Sequence, residues 1–478
     1  MNKLFLFAAL LLAGCMTVGP DYKRPGVALP EKFEAPEKQA LENQDALKLA
    51  RDWWTLYADP ALDEIVAATR ANNADVRLAA ARVQEAEGVL REVNATLFPD
   101  IGAGYSYSRN RVSERTVPPP LGGFGLVRQQ NQLLISTSYE IDFWGRLSRT
   151  AEAARASLLA TRYAQDVVDL TLASAAAQSY FGLRSLDAQL VVLAQTIKAR
   201  SDSLDLAKAR LQAGLASELD VYQAQGALSD ALVQRRDTER QRAVLERQIG
   251  QLTGRLDLKI PPGDLFKLPV PPTPPAGLPS QLLDRRPDIR NAEEGLVATN
   301  AQIGIARAAL FPSISLTAGL GAQSSAFSDL LSSGAGIWSL AYALALPVFD
   351  GGRRSARVDQ AQARREQALA SYQKAIETGF REVSEGLINV EQSGATEADL
   401  MNRLEAARNA LDLSNLRYQS GYSPYLEVLD AQRTQNDAEL AFVRNRQARL
   451  SFSVDLMKSL GGGWEGNRGQ APISSRAR

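Results

Sequence analysis

Residues Lys208 to Gln225 read KARLQAGLASELDVYQAQ and residues Asn415 to Gln432 read NLRYQSGYSPYLEVLDAQ, so one stretch occurs twice at a constant offset of 207 positions. The offset sets Arg210 on Arg417, Gly214 on Gly421 and Leu219 on Leu426. It holds without a gap from Gly145, on Gly352, to Gly254, on Gly461. A gap-free match of that length marks a duplicated structural unit, and the fold must be built from two copies of one design. In each copy a helix-period pattern breaks at one glycine, Gly214 or Gly421, and resumes beyond it, which predicts the reversal point of a long helical hairpin.

The helices entering these bends are long. No proline interrupts Gly145 to Gly214 or Gly352 to Gly421, and at 1.5 Å per residue each run predicts about 100 Å of helix. Charges recur throughout, so neither is a membrane span. Apolar residues recur in near-heptads, at Leu190, Ile197, Leu204 and Leu211 in one copy and Ile376, Val383 and Val390 in the other, as in a coiled coil. The helices leaving the bends, Leu219 to Leu252 and Leu426 to Leu460, are about half as long. Upstream, one helix is expected over Ala61 to Leu97, opened by Asp59-Pro60 and ended at Leu97-Phe98-Pro99; its counterpart ends at Leu310-Phe311-Pro312. Pro99 and Pro312 mark conversions from helix to extended chain.

Beyond each of these prolines the period changes to two. Ile101, Ala103, Tyr105 and Tyr107 alternate with Gly102, Gly104, Ser106 and Ser108, and Tyr139, Ile141 and Phe143 with Glu140 and Asp142; Ile314, Leu316 and Leu320 are followed by a return run from Trp338 to Leu346. Runs of about ten residues with one apolar face and aromatics near the ends are the pattern of transmembrane β-barrel strands. Four strands cannot close a barrel and lipid tolerates no open edge, so several chains must share one: about 8, 12 or 16 strands for a dimer, trimer or tetramer. The first hairpin carries additional residues around Pro118-Pro119-Pro120, a surface loop.

Composition narrows the chemistry. The chain has no histidine and one cysteine, Cys15, which excludes His-based general base catalysis, cysteine-histidine zinc sites and intramolecular disulfides. Lys+Arg and Asp+Glu balance at 54 each, so nothing draws the protein to nucleic acid. Glu140 and Asp142 remain as paired carboxylates for a hydrolase, but their spacing puts both on one strand face with no cleft implied. No cofactor or metal is implied. Met1 to Gly14 has the basic start, apolar run and small residues of a signal peptide, and Leu12-Ala13-Gly14-Cys15 resembles a bacterial lipoprotein signal whose cysteine carries acyl chains. The expected organisation is a signal peptide over 1–14, an extended lipidated segment over 15–59 and a first repeat over 60–260. A Pro-rich extended linker over 261–279, a second repeat over 280–463 and a flexible tail over 464–478 follow.

CMTVGPDYKRP after the leader, WWTLYADPALDEIV, the paired LFP turns, DFWGR with its counterpart FDGGRR, and the bends at Gly214 and Gly421 together resemble the TolC-like outer membrane factors, in the lipidated NodT and OprM branch. The resemblance covers the mature chain. It implies a mixed fold of coiled-coil hairpins and transmembrane strands, a homotrimer forming a 12-stranded β-barrel continued by a 12-helix α-barrel. It also implies an outer-membrane exit duct for small molecules, with no catalysis, meeting a periplasmic adaptor and an inner-membrane resistance-nodulation-division transporter. Carried over by motif, the narrowest point falls on Leu426 and Asp430 with Glu427 nearby, Asp220 is the first-copy counterpart of Glu427, and Arg417 and Tyr418 fall on positions that latch the closed state. Ala216, Ser217 and Gln223 differ from Ser423, Pro424 and Asp430, so the copies are not expected to gate alike. Four methionines and no histidine argue against a dedicated copper or silver duct. A duct for type I protein secretion, or a non-conducting lipid-anchored coiled-coil scaffold, are the alternatives.

Overall fold

Asp59 accepts a hydrogen bond from the Ala61 amide at 2.9 Å and Pro60 takes the first helical position, where a missing N–H loses nothing. The chain is seen in a computed structural model that describes residues 17–27, 30, 33, 52–113, 115, 126–273 and 279–464. Its elements run α1 (Pro60–Asn72), α2 (Ala74–Ala95), β1 (Asp100–Arg111), β2 (Val127–Ile141), α3 (Arg146–Gln212), α4 (Glu218–Leu252), α5 (Leu282–Arg285), α6 (Pro287–Ala308), β3 (Ser313–Ser324), β4 (Gly336–Ala345), α7 (Arg353–Gln419) and α8 (Tyr425–Ser459). Cys15 and the tip of the first hairpin, with Pro118 to Pro120, lie outside the described residues, as does the tail from 465 onward.

The equal lengths of α3 and α7, 67 residues each, and of α4 and α8, 35 each, carry the duplication into the fold. Two compact units cut across it: one takes in Met1–Gly26, Val83–Thr161 and Ala292–Tyr372, the other Val27–Arg82, Arg162–Asn291 and Gln373–Arg478.

The first unit holds a four-stranded antiparallel sheet in the order β1-β2-β3-β4. Its register sets Tyr105 opposite Leu133, Leu133 opposite Ala322, Ile135 opposite Leu320 and Leu320 opposite Trp338, so most of the large apolar residues of the four strands share one face. Gly104, Ser106, Ser136, Thr317 and Ser339 share the other. β1 and β4 are open edges, and on the apolar face Trp338, Leu340 and Tyr342 are mostly exposed. At the sheet's root Trp144 stacks on Phe311 at 4.5 Å between centroids and donates to the Pro312 carbonyl at 2.8 Å. Here the expectation of paired carboxylates on one strand face fails. β2 ends at Ile141; Glu140 accepts both bonds of a bidentate Arg146 at 2.8 and 2.6 Å, and Asp142 accepts from the Leu147 and Ser148 amides, capping α3.

In the same unit an extended N-terminal strap lies over α3 and α6. The Val18 amide donates to the Trp144 carbonyl at 3.0 Å, Asn300 donates to the Pro20 carbonyl at 2.8 Å and Arg149 pairs with Asp21 at 2.6 Å. Arg24 clamps the buried Glu293 carboxylate at 2.6 and 2.7 Å. Gly19 is required: a Cβ there would sit 2.5 Å from the Gly304 Cα, and its φ is +114°.

The second unit packs the 3-10 turn Trp53–Tyr57 into a core with α1, Tyr180 and Phe181 of α3, Ile249 of α4, and Leu450 and Val454 of α8. Burying each large apolar side chain here contributes about 1.5–3 kcal/mol, and the Tyr57 hydroxyl is matched to Ser453 Oγ at 2.7 Å. Two expectations are corrected. The helix read as continuous from Ala61 to Leu97 is two: Asn73 leaves helical geometry with ψ 139°, its Oδ1 accepts from the Asp75 amide at 2.7 Å and its Nδ2 donates to the Leu252 carbonyl at 3.0 Å. The Pro-rich segment after 260 is not simply extended. It turns through Leu265–Lys267, buries Leu265 and Leu268, and is held by Arg184 on the Pro261 carbonyl at 2.7 Å and Asp187 on the Gly263 amide at 3.0 Å. Among the described residues no helix is long and apolar enough to cross a membrane.

Candidate functional site at the paired helical bends

The two bends are one backbone motif. After α3 the Gly214 amide donates to the Leu211 carbonyl at 2.9 Å and the Leu215 amide to the Arg210 carbonyl at 2.8 Å; after α7 Gly421 donates to Tyr418 at 3.1 Å and Tyr422 to Arg417 at 2.8 Å. These nested bonds satisfy the carbonyls that a helix end leaves unpaired, and they need a left-handed residue at the glycine. Gly214 has φ +73° and Gly421 φ +78°.

Beyond the glycines the copies diverge. Ser217 caps α4 in a reciprocal box, its Oγ accepting from the Asp220 amide at 3.3 Å while Asp220 Oδ2 accepts from the Ser217 amide at 3.2 Å. The Asp220 carboxylate is therefore tied to its own helix start. In the second copy Pro424 occupies the capping position with no side-chain bond, which frees Glu427, and its carboxylate accepts from Arg417 Nε at 2.9 Å. Both members of that pair are substantially solvated.

The arginines differ in the same way. Arg210, on the first bend, reaches across to the second: Nη1 lies 3.3 Å from the Tyr418 and Gln419 carbonyls, and the guanidinium sits 4.8 Å over the Tyr418 ring. A cation at the last turn of a helix meets its unpaired carbonyls and the negative end of its dipole. Arg417, its counterpart, stays on its own hairpin.

Tyr418 is buried and packs at 5.5 Å against Tyr425, in a cluster with Leu204, Ala207, Ala224 and Val428. Burial pushes the Tyr418 and Tyr425 hydroxyls above the ordinary tyrosine range, with the nearby arginines pulling the other way. Leu426 is exposed, at 58%. Asp430 is exposed too and accepts from Arg433 Nη2 at 2.7 Å, one turn on along α8. Higher on the same seam Thr196 bonds Asn436 at 3.1 Å and Gln432 bonds Ser203 at 2.9 Å.

The structure thus brings Arg417, Tyr418, Gly421, Leu426, Glu427 and Asp430 together with Gly214 and Asp220. Pro99 and Pro312 belong to the first unit, at its helix-to-strand turns. Sequence reasoning missed Arg210 and Arg433 as functional candidates. The offset that pairs Arg210 with Arg417, and the three-residue spacing of Asp430 and Arg433 on a helix, were the available signals. Among the described residues no cluster of carboxylates is arranged to hold a metal ion.

Comparison with known proteins fits this architecture. The profile of the family described as outer membrane efflux protein matches residues 65–255 and 278–462. The chain is 35% identical to the solvent efflux pump outer membrane protein SrpC of Pseudomonas putida, over 97% of this chain and 98% of that one. It is 33% identical to the cation efflux system protein CusC of Escherichia coli, over 96% and 97%. A crystal structure of a membrane protein from Pseudomonas aeruginosa superposes with a TM-score of 0.87 at 31% identity, covering 95% of this chain and 99% of that one. A sheet with one apolar face, two matched hairpins of 67- and 35-residue helices and these relatives lead to one assignment: the chain belongs to the outer membrane efflux protein family and is an efflux channel protein of the outer membrane.

Proposed function

We propose that three copies join through their open β1 and β4 edges to close a 12-stranded barrel, and that their hairpins gather into a 12-helix tunnel shut at the periplasmic end by the bends. The observation that carries this reading is the four-stranded sheet itself, with one predominantly apolar face and two open edges, which lipid does not tolerate until neighbouring copies pair them. Cys15 carries the acyl chains that anchor the mature chain. The duct is passive: it performs no chemistry, and a periplasmic adaptor opens it by binding the open state better than the closed one, linking it to an inner-membrane resistance-nodulation-division transporter. The cargo is small toxic organic molecules, in keeping with the solvent efflux role in SrpC's name; four methionines and no histidine weigh against soft metal ions.

Around a threefold axis each lining residue appears three times. Leu426 supplies an apolar constriction, and Asp430, one helical turn further along α8, supplies a ring of carboxylates that favours cations, moderated by its pair with Arg433. Glu427 and Asp220 lie at the rims, and Arg417 and Tyr418 hold the closed arrangement. Conductance of the purified lipidated protein in a planar bilayer tests this. Small cation-selective openings are expected, and Asp430→Ala, which leaves Arg433 uncompensated, lowers or inverts that selectivity. Unchanged selectivity would remove the gate assignment, and no conductance from intact trimers would remove the duct.

A further inference from the structure

The apolar face of the sheet carries a charge where a membrane surface should carry none. Following the register across all four strands, the charged strand residues on that face, among those described, are Arg109 and Arg111, both near the far end of β1 and both exposed. Arg128, Asp100 and Glu140 fall on the opposite face. The residue facing Arg109 across the β1-β2 ladder is Gln129, and among the described residues no hydrogen bond or ion pair holds the Arg109 guanidinium. Asp329, in the β3-β4 connection, is the acidic residue of that connection and is bonded locally to Ser328.

Depth explains how a cation survives there. A strand rising about 3.4 Å per residue and tilted about 40° climbs roughly 2.6 Å per residue, so Tyr107 stands about 16 Å and Arg109 about 21 Å above Ile101, at the upper margin of an apolar band about 25 Å tall. Tyr105 and Tyr107 lie just beneath, and the Tyr105 hydroxyl is held by Asn131 at 2.8 Å. Beside them the β3-β4 connection folds Phe327 edge-on against Tyr105 at 6.0 Å and leaves Phe327 and Leu331 exposed, at 70% and 87%. The second hairpin is thus apolar where the first is cationic. An amphipathic molecule with an anionic head and several acyl chains matches that pairing.

The geometry points to a lipid site on the membrane face of the first hairpin, in which Arg109, flanked by Arg111, binds a phosphate of outer-leaflet lipid A while the acyl chains lie against Tyr105, Phe327 and Leu331. An arginine presents a planar fork suited to phosphate oxygens. The site rests on the barrel reading given above, since only a closed barrel puts this face in lipid.

Native mass spectrometry of the purified full-length oligomer tests it, with purified lipid A, dephosphorylated lipid A and phosphatidylglycerol titrated separately. Loss of a charge-assisted contact corresponds to roughly tenfold weaker binding or more, so Arg109→Ala is expected to bind lipid A about tenfold more weakly than wild type, with Arg109→Lys between them and Arg128→Ala unchanged. Dephosphorylated lipid A should bind wild type no better than lipid A binds Arg109→Ala. Equal lipid A affinity in wild type and Arg109→Ala, an equal loss in Arg128→Ala, or equally tight binding of phosphatidylglycerol would overturn the assignment. Wild-type protein that forms no heat-modifiable trimer would overturn the barrel and the site together, whereas normal trimers indifferent to Arg109 would overturn the site alone.

Discussion

The first and second bends share a backbone and differ in what holds it. Both close through the same pair of amide-to-carbonyl bonds around a glycine at positive φ. The first then locks its exit helix with Ser217 and Asp220 and sends Arg210 onto its neighbour; the second has a bare proline cap, and its acidic residue pairs with an arginine of its own hairpin. Duplication supplied the backbone turn twice, and side chains made the two copies unlike: the first bonds both its own exit helix and its neighbour, the second only itself. The support runs one way within the chain, from first bend to second.

That asymmetry is broken most severely at Arg210. Its contact to the Tyr418 carbonyl is partly buried and that to Gln419 exposed; with its place over the buried Tyr418 ring they contribute about 2 kcal/mol, whereas the solvated Arg417 to Glu427 pair contributes about 0–1 kcal/mol. Arg210→Ala should therefore raise leak conductance on the order of 30-fold through the closed/open ratio, and Arg417→Ala only a few-fold. An effect of Arg417→Ala as large as that of Arg210→Ala would show that Arg417 works on a neighbouring copy, not on Glu427.

The caps offer a smaller and more pointed test. Ser217→Ala removes the box at the first bend at a cost of about 1 kcal/mol. Pro424→Ser creates the S-x-x-E arrangement that the second bend lacks and draws Glu427 back to its own helix start, away from Arg417. This variant should stiffen the second hairpin, read as slower amide exchange over residues 424–430, and its exchange profile should approach that of residues 217–223. No change in exchange at either cap would mean that packing in the Leu204 and Tyr425 cluster, not capping, sets the rigidity of both bends.

What was legible in the chain follows the same division. Gly214 and Gly421 could be read because only glycine suits that backbone, and the sheet faces because a period of two puts alternate side chains on opposite faces of a strand. Asn73 could not: an asparagine is tolerated in a helix, and only its bonds to Asp75 and Leu252 make it a break. Asp142 looked like a strand residue because alternation continues through it, yet the amides of α3 claim it. The linker's prolines restricted its conformation but said nothing of Arg184 and Asp187, more than seventy residues earlier, which bind it down. The contacts that evaded the sequence are those in which a polar side chain answers a backbone group, whether two to six residues on, as with Asn73 and Asp142, or more than seventy away, as with Arg184 and Asp187.

The finest difference between the bends is Tyr418, whose counterpart at the first bend, Leu211, has no hydroxyl. That hydroxyl is buried without a hydrogen-bond partner among the described residues, and burial holds its pKa above the ordinary value, with Asp220 adding to the rise and Arg210 opposing it. Tyr425 beside it is shifted in the same direction. A tyrosine that ionises later in the folded chain than in the unfolded one contributes stability that is complete below the unfolded pKa near 10 and is lost as pH rises through the folded value. The second bend should therefore loosen above about pH 10. Tyr418→Phe should flatten part of that dependence, and because it discards a hydroxyl with no partner it should be neutral or stabilising by up to about 1 kcal/mol at neutral pH. Denaturant midpoints of wild type and Tyr418→Phe from pH 8 to 11 measure both effects. Parallel curves for the two proteins would mean that Tyr425 alone carries the alkaline response, and a Tyr418→Phe that is destabilised at neutral pH would mean that the hydroxyl finds its partner on another copy of the chain.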